Sequence, residues 1–345
     1  MFAALLTGDP VNRRLWLGSF CCALLSASVG VSAQRSGRTH RLGVLGVLPP
    51  DPSDPDTVRL FEVFVQVLRE RGYVEGDNLI IERRYWGGVV DRLPKLAAEL
   101  ASLKLDAITV NTNPAAQAMK EATSSTPIVM LLVSDPVGAG LVRSLSRPGG
   151  NLTGVTDIQE DLTLKRIELL KMAMPQATRV SVLTSDIGGF DPARLAAIRK
   201  EQSESALGMG VSLSRFDIRT AADFPSAAAA IERERPDALF LDHRPINFYL
   251  RKAIAQFAID HRLPTVASQR EQAAAGIMMS FGTSTAWQSR EAANYVDKIL
   301  KGAAPADLPI QQPTQFELVI NVKTANAIGL KIPQALLLRA DEVIE

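Results

Sequence analysis

The chain has 345 residues, 46% of them apolar, and a formal net charge of +1. Such a length and composition suit a globular protein of two domains. With 38 basic residues against 37 acidic ones, there is no excess of positive charge of the kind that grips a nucleic-acid backbone.

The first 33 residues read as a secretory signal peptide. Arg13 and Arg14 precede an apolar run from Leu15 to Val29, and Val31-Ser32-Ala33 fits a small-x-small cleavage site before Gln34. The run is short and broken by Ser and Gly, which argues against a membrane span. Twelve residues precede the basic pair, ten of them ahead of Val11, so a translation start nearer Val11 is an alternative. Cys21 and Cys22 are the only cysteines, and Phe20 stands where a lipoprotein signal requires a small residue. Cleavage therefore leaves a chain with no disulfide, no thiol nucleophile and no thiolate metal site. Residues 34–40 read as a disordered leader.

From Arg41 the pattern alternates between strands and helices. Strand Leu42–Leu48 leads through a Pro- and Asp-rich loop to a helix capped by Asp54 or Asp56. Its residues Leu60, Phe61, Phe64, Val65, Val67 and Leu68 form a core-facing stripe. Strand Asn78–Tyr85, a helix marked by Leu93, Leu96, Ala97, Leu100 and Leu103, and strand Ala107–Asn111 follow. Asn113-Pro114 then opens a helix to about Ala122. Pro127–Val133 is apolar without alternation, as in a strand buried on both faces. Asp135-Pro136 signals a helix start, with a helix expected to Leu145 and a strand at Leu152–Thr156.

A second series begins with helix Leu162–Ala173. It continues through strand Arg179–Thr184, a helix from Asp191-Pro192 to Leu207, strand Val211–Phe216, helix Ala221–Arg233 and strand Ala238–Asp242. Helix Phe248–His261 and strands Thr265–Ala267 and Gly276–Ser280 complete it. Such alternation implies α/β architecture with doubly wound parallel sheets. Helix Ala286–Leu300 is expected to return to the first lobe, and Gln311–Val322 to cross back.

The segment SDPVGAGLVRSLSRPGGNLTGVT (134–156) resembles the signature segment of the periplasmic substrate-binding proteins of ABC transporters, some of which take up aromatic amino acids. RERGYVEGDNLIIERRY (69–85), DRLPKLAAELASLKLDAI (91–108), YVDKILKGAAPADLPIQQPTQFELVINVKTANAIGLKIPQ (295–334) and RADEVIE (339–345) are similar too. The resemblance implies the type I periplasmic-binding fold, two lobes joined by a hinge of three crossings. The lobes would comprise 41–156 with 284–310, and 157–283 with 311–345. It also implies a monomer that closes on a small ligand and delivers it to an ABC permease and ATPase, with no catalysis and no nucleic acid.

The chain has no G-x-x-x-x-G-K-[ST], H-E-x-x-H, G-x-S-x-G or C-x-x-C. Gly138-x-Gly140 falls within the expected helix and is no dinucleotide fingerprint. No cofactor is called for, and His243 beside Asp242 lacks the further ligands a metal needs. What remains are polar corners at the carboxyl ends of strands, where ligands bind in open α/β sheets. The candidate ligand-binding residues are Asn111, Thr112, Asn113, Ser134, Asp135, Thr184, Ser185, Asp242, Ser268 and Phe281. Each has a second reading. Asn113, Asp135 and Asp191 suit helix caps before proline, and Ser268 can simply bond a strand end. Free N–H groups at helix N-termini suit a carboxylate, and Asp135 or Asp242 an ammonium group. Phe281 takes a place where relatives often carry Tyr, which keeps stacking and loses a hydroxyl. Trp86 reads as surface or interlobe packing, and Trp287 equally as packing or as a residue of the cleft mouth. Two rivals share the fold: the effector domain of a transcription regulator, which would carry DNA-binding helices, and a small-molecule enzyme, which would carry a nucleophile–base pair.

Overall fold

The computed structural model describes residues 38–47, 49, 54–185 and 192–345. The expected signal peptide with both cysteines, most of the loop before residue 54, Asp186 and Asp191 lie outside the described residues.

Eight elements build the first lobe's sheet and its helices. These are β1 (His40–Gly46), α1 (Pro55–Glu70), β2 (Leu79–Tyr85), α2 (Leu93–Ser102), β3 (Ala107–Val110), α3 (Asn113–Ala122), β4 (Ile128–Ser134) and β5 (Leu152–Asp157). The five strands run parallel in the order β2-β1-β3-β4-β5. Successive residues of β3 face opposite layers, as the pleat requires. Ala107 packs with Phe64, Val67 and Leu68 of α1, whereas Ile108 and Val110 pack with Leu93, Ala97 and Leu100 of α2 and Met119 of α3.

The second series comprises α4 (Thr163–Ala173), β6 (Arg179–Thr184), α5 (Pro192–Gly208), β7 (Ser212–Asp217), α6 (Phe224–Glu234) and β8 (Ala238–Leu241). It continues with α7 (Pro245–Tyr249), α8 (Arg251–Asp260), β9 (Thr265–Ala267), α9 (Arg270–Ala274) and β10 (Met279–Thr283). Then α10 (Thr285–Leu300) packs on the first sheet through Trp287, Ala292, Ala293 and Val296. The chain returns through Gln311, which bridges Val155, to β11 (Phe316–Asn321), α11 (Val322–Ala327), α12 (Gln334–Leu337) and β12 (Glu342–Ile344). The second sheet has seven strands in the order β12-β11-β10-β9-β8-β6-β7, and β11 runs antiparallel to β10. Strand–helix alternation thus produces the two-lobed α/β architecture expected from the sequence. No helix among the described residues is long and apolar enough to cross a membrane.

Four expectations are corrected. His40 is not leader but the first residue of β1, in register with Leu79. The expected helix from Pro136 to Leu145 does not form, so Gly138-x-Gly140 lies in turns rather than in a helix. Gly140 adopts φ +68°, a left-handed conformation that ends the coil after little more than one turn. The expected helix Phe248–His261 is two pieces, broken at Leu250. Finally, Thr112 rather than Asn113 caps α3, its hydroxyl accepting from Ala115 N at 3.4 Å.

Candidate functional site

The carboxyl edges of the two sheets face one another across a cavity of about 250 Å³. Its walls are largely apolar. Phe61 of α1, Trp86 after β2, Leu131 and Leu132 of β4, and Phe248 of α7 all contribute. Leu132 sits in a bulge of β4 with φ +55°, where the register to β5 shifts between Met130 and Val133. Bulges of this kind re-aim side chains beside binding sites. Both flanking aromatics are backed by guanidinium groups, Arg83 lying 4.8 Å from the Phe61 ring centroid and Arg251 4.4 Å from that of Phe248.

Polar groups enter from strand ends. Asn111, Thr112, Asn113 and Pro114 bring the N-terminus of α3 to the wall, beside Ser134 at the end of β4. Of the first N–H groups of α3, Pro114 has none, Ala115 N turns to the Thr112 hydroxyl and Ala116 N to the Thr112 carbonyl, so Asn113 N is the backbone donor this corner keeps for an acceptor group. Asn113 is itself occupied: its Nδ2 donates to Ser134 O at 2.7 Å, and its Oδ1 accepts from Ser134 N at 3.0 Å. The second lobe adds His243, Arg244 and Gln269, and the first turns of α10 add Thr285 and Ser289. Asn111 Oδ1, Tyr85 Oη and Trp86 Nε1 belong to cavity-lining residues and are buried without a hydrogen-bond partner. Burial pushes the Tyr85 hydroxyl pKa up, keeping it a proton donor.

The other sequence-derived candidates lie behind the wall. The Asp135 carboxylate accepts from Gly138 N at 2.9 Å and pairs with Arg194 of the second lobe. Asp135 has φ +42° and caps no helix. Thr184 donates to Asp242 Oδ2 at 2.8 Å, and Ser185 O accepts from Arg244 Nε at 3.1 Å. Arg244 also reaches Glu160 at 2.5 Å and Asp242 at 3.4 Å. Against burial, which would raise it, Arg244, the Thr184 hydrogen bond and Arg166 hold the Asp242 carboxyl below its usual range. Burial, reinforced by Asp242, pushes the Glu160 carboxyl up. Neither Asp135 nor Asp242 therefore lines the cavity to meet a ligand ammonium. Phe281 turns away as well, stacking on Phe316 at 6.3 Å, while its carbonyl accepts from Arg166 Nε at 2.6 Å. Arg166 is fully buried, and burial lowers its pKa to about 10.

His243 and the aromatic pair Phe61 and Phe248 were not among the expected site residues. The corner Asp242-His243 was the available signal for the first. His243 Nε2 lies 3.1 Å from Asp157 Oδ2 of β5, and its Nδ1 lies 2.9 Å from Ser268 Oγ. The order serine–histidine–aspartate resembles a nucleophile with its base. Ser268 is 1% exposed and outside the cavity wall, however, so these contacts hold His243 in place and offer no nucleophile to the cavity. Among the described residues no group of histidines, cysteines and carboxylates could hold a metal ion. Trp86 takes an interlobe place, one of the two readings its sequence position offered, and Trp287 falls on the packing side of its two readings. Trp86 is 1% exposed and lines the cavity, whereas Trp287 is buried on the opposite face of the first sheet.

Two parallel-sheet lobes closing on an aromatic-walled cavity define a solute-binding protein. The chain belongs to the ABC transporter substrate binding protein family, whose model matches residues 53–344. A tyrosine-binding protein of Clostridioides difficile is 28% identical over 272 residues, covering 78% of this chain and 76% of that protein. A conserved domain protein of Vibrio cholerae superposes with a TM-score of 0.79 at 26% identity, covering 89% of this chain and 100% of that structure. An ABC domain from Streptococcus pneumonia in complex with L-Trp gives 0.77 at 24% identity, with the same coverage.

Proposed function

We propose that this chain captures an aromatic or other apolar amino acid outside the cytoplasmic membrane and delivers it, by hinged closure, to the permease and ATPase of an ABC importer. The observation that carries this reading is the cavity itself. Its apolar aromatic walls accept a hydrophobic side chain, and the unpartnered Tyr85 hydroxyl and Trp86 indole N–H offer donors to a carboxylate. The tyrosine-binding relative supports an amino acid as ligand. Nothing in the cavity wall assembles a nucleophile with a base, which favours binding over turnover. A monomer with a cleaved signal peptide completes the reading. Only a difference in affinity between closed and open forms lets a ligand drive closure.

One preparation tests both halves. The protein recovered from the periplasm should begin at or near Gln34 by peptide-mass analysis. In a thermal-shift and calorimetry panel, an aromatic L-amino acid at 100 times its Kd should stabilise it by about 2.7 kcal/mol. Retention of Cys21 in the exported chain would overturn the export reading, and no response to any amino acid would overturn the ligand reading.

A further inference from the structure

Asp54 opens α1 in the first lobe, and Arg251 opens α8 in the second. Their side chains form an ion pair across the cleft, and Lys252 Nζ adds a second cation 3.7 Å from Asp54 Oδ1. Both residues are buried, Asp54 being 8% and Arg251 2% exposed. Asp54 makes no side-chain cap bond to α1, so helix capping does not account for its carboxylate. Arg251 also donates from Nη1 to Phe248 O at 2.9 Å, and its guanidinium lies over the Phe248 ring. The other side of the pair runs through α1 to Phe61, which lines the cavity opposite.

We propose that Arg251 is a positioning residue for ligand capture: Asp54 of the opposite lobe anchors it, and it sets the Phe248 ring as the second lobe's wall of the cavity only when the lobes are together. The pair lies between the lobes, so separating them must break it and expose both charges to water. A buried ion pair offers little net stability against its desolvation. Its effect is on geometry, because removing Asp54 leaves Arg251 buried in the closed form without that counter-charge, and removing Arg251 takes from Asp54 its buried cation while Lys252 remains. Planar stacking on the Phe248 ring is also beyond a lysine, which separates pairing from positioning.

The inference rests on the amino-acid-binding reading for one of its readouts and is independent of it for the other. The test uses Asp54→Asn, Arg251→Gln, the double variant and Arg251→Lys. Asp54→Asn is nearly isosteric and removes the charge alone, and thermal melting of each variant checks that it is folded. With L-tyrosine as probe, stopped-flow measurement should show dissociation at least ten-fold faster in each single glutamine or asparagine variant, with association changed less than about three-fold. The double variant should be no worse than the weaker single one. Arg251→Lys should recover part of the lost residence time without restoring it. Effects of Asp54→Asn and Arg251→Gln that multiply in the double variant would overturn the proposal, as would full recovery by lysine. Without ligand, dyes on α2 and α6 should report a wider lobe separation in Asp54→Asn than in the parent. An unchanged separation overturns the proposal even if L-tyrosine proves not to bind. Failure of the parent to bind L-tyrosine while the separation widens overturns only the choice of ligand.

Discussion

Asp242 shows how one side chain, placed at a strand end, trades a direct role for an organising one. It holds Thr184, the His243 backbone and Arg244, and thereby fixes the segment that carries His243 to the cavity. Its carboxyl binds a proton more weakly in the folded chain than in the unfolded one. The stability this contributes is complete above the unfolded value of about 3.9 and disappears as pH falls through the lower folded value. Glu160 runs the other way: its raised carboxyl contributes below about 4.3, and that contribution fades as pH rises through its folded value. Asp242→Asn should cost about 3–5 kcal/mol at pH 7, because the buried Arg244 loses a counter-charge. Urea unfolding should show the deficit shrinking between pH 4 and pH 3, as the parent loses the same interaction. A deficit independent of pH would remove the electrostatic account.

Between elements, the reciprocal amide bonds of Asn113 tie the start of α3 to the end of β4. Truncation would orphan both the N–H and the C=O of Ser134 beside the cavity. Asn113→Ala should therefore cost about 2–6 kcal/mol, each of the two buried unsatisfied groups counting for about 1–3. Thr112→Ala, which removes only the cap, should cost about 1 kcal/mol. Equal losses in the two denaturation curves would count against the tie. This level is also where the sequence was most and least informative. Strands β6 and β9 have the bounds their apolar runs announce, because a strand buried on both faces declares itself by composition. Asp135-Pro136 announced a helix that is absent, since the signal marks a start and says nothing of length. Gly138 and Gly140 sit where continuation would be needed, and a Cβ on Gly138 would lie 2.1 Å from the Asp135 carboxylate. The polar corners of α3 and β4 were legible as strand ends. The aromatic walls were not, because Phe61 and Phe248 fit helical stripes and only the approach of the lobes distinguishes a wall from a core.

For the molecule as a whole, the placement of tryptophans turns closure into an optical signal. In a chain cleaved before Gln34, Trp86 and Trp287 would be the only indoles. Trp86 lines the cavity and Trp287 lies across the sheet. L-tyrosine should change indole emission in the parent and in Trp287→Phe, and leave it unchanged in Trp86→Phe. A change that survives Trp86→Phe would relocate the ligand.

The late return of α10 to the first sheet has a consequence for how the protein is made. All five strands of that sheet are synthesised by residue 157, yet the apolar face that α10 covers stays bare until Leu300 has been added. Partners so far apart in sequence close slowly, and the second sheet likewise waits for β11 and β12 at the chain's end. Neither lobe can finish on the ribosome before almost the whole chain exists. A nascent polypeptide with this wiring remains unfinished for most of its synthesis, exposing a sticky surface that a chaperone can hold. A cut between the two series would leave a first fragment in which α1 alone covers the face of the sheet that it shares with α10.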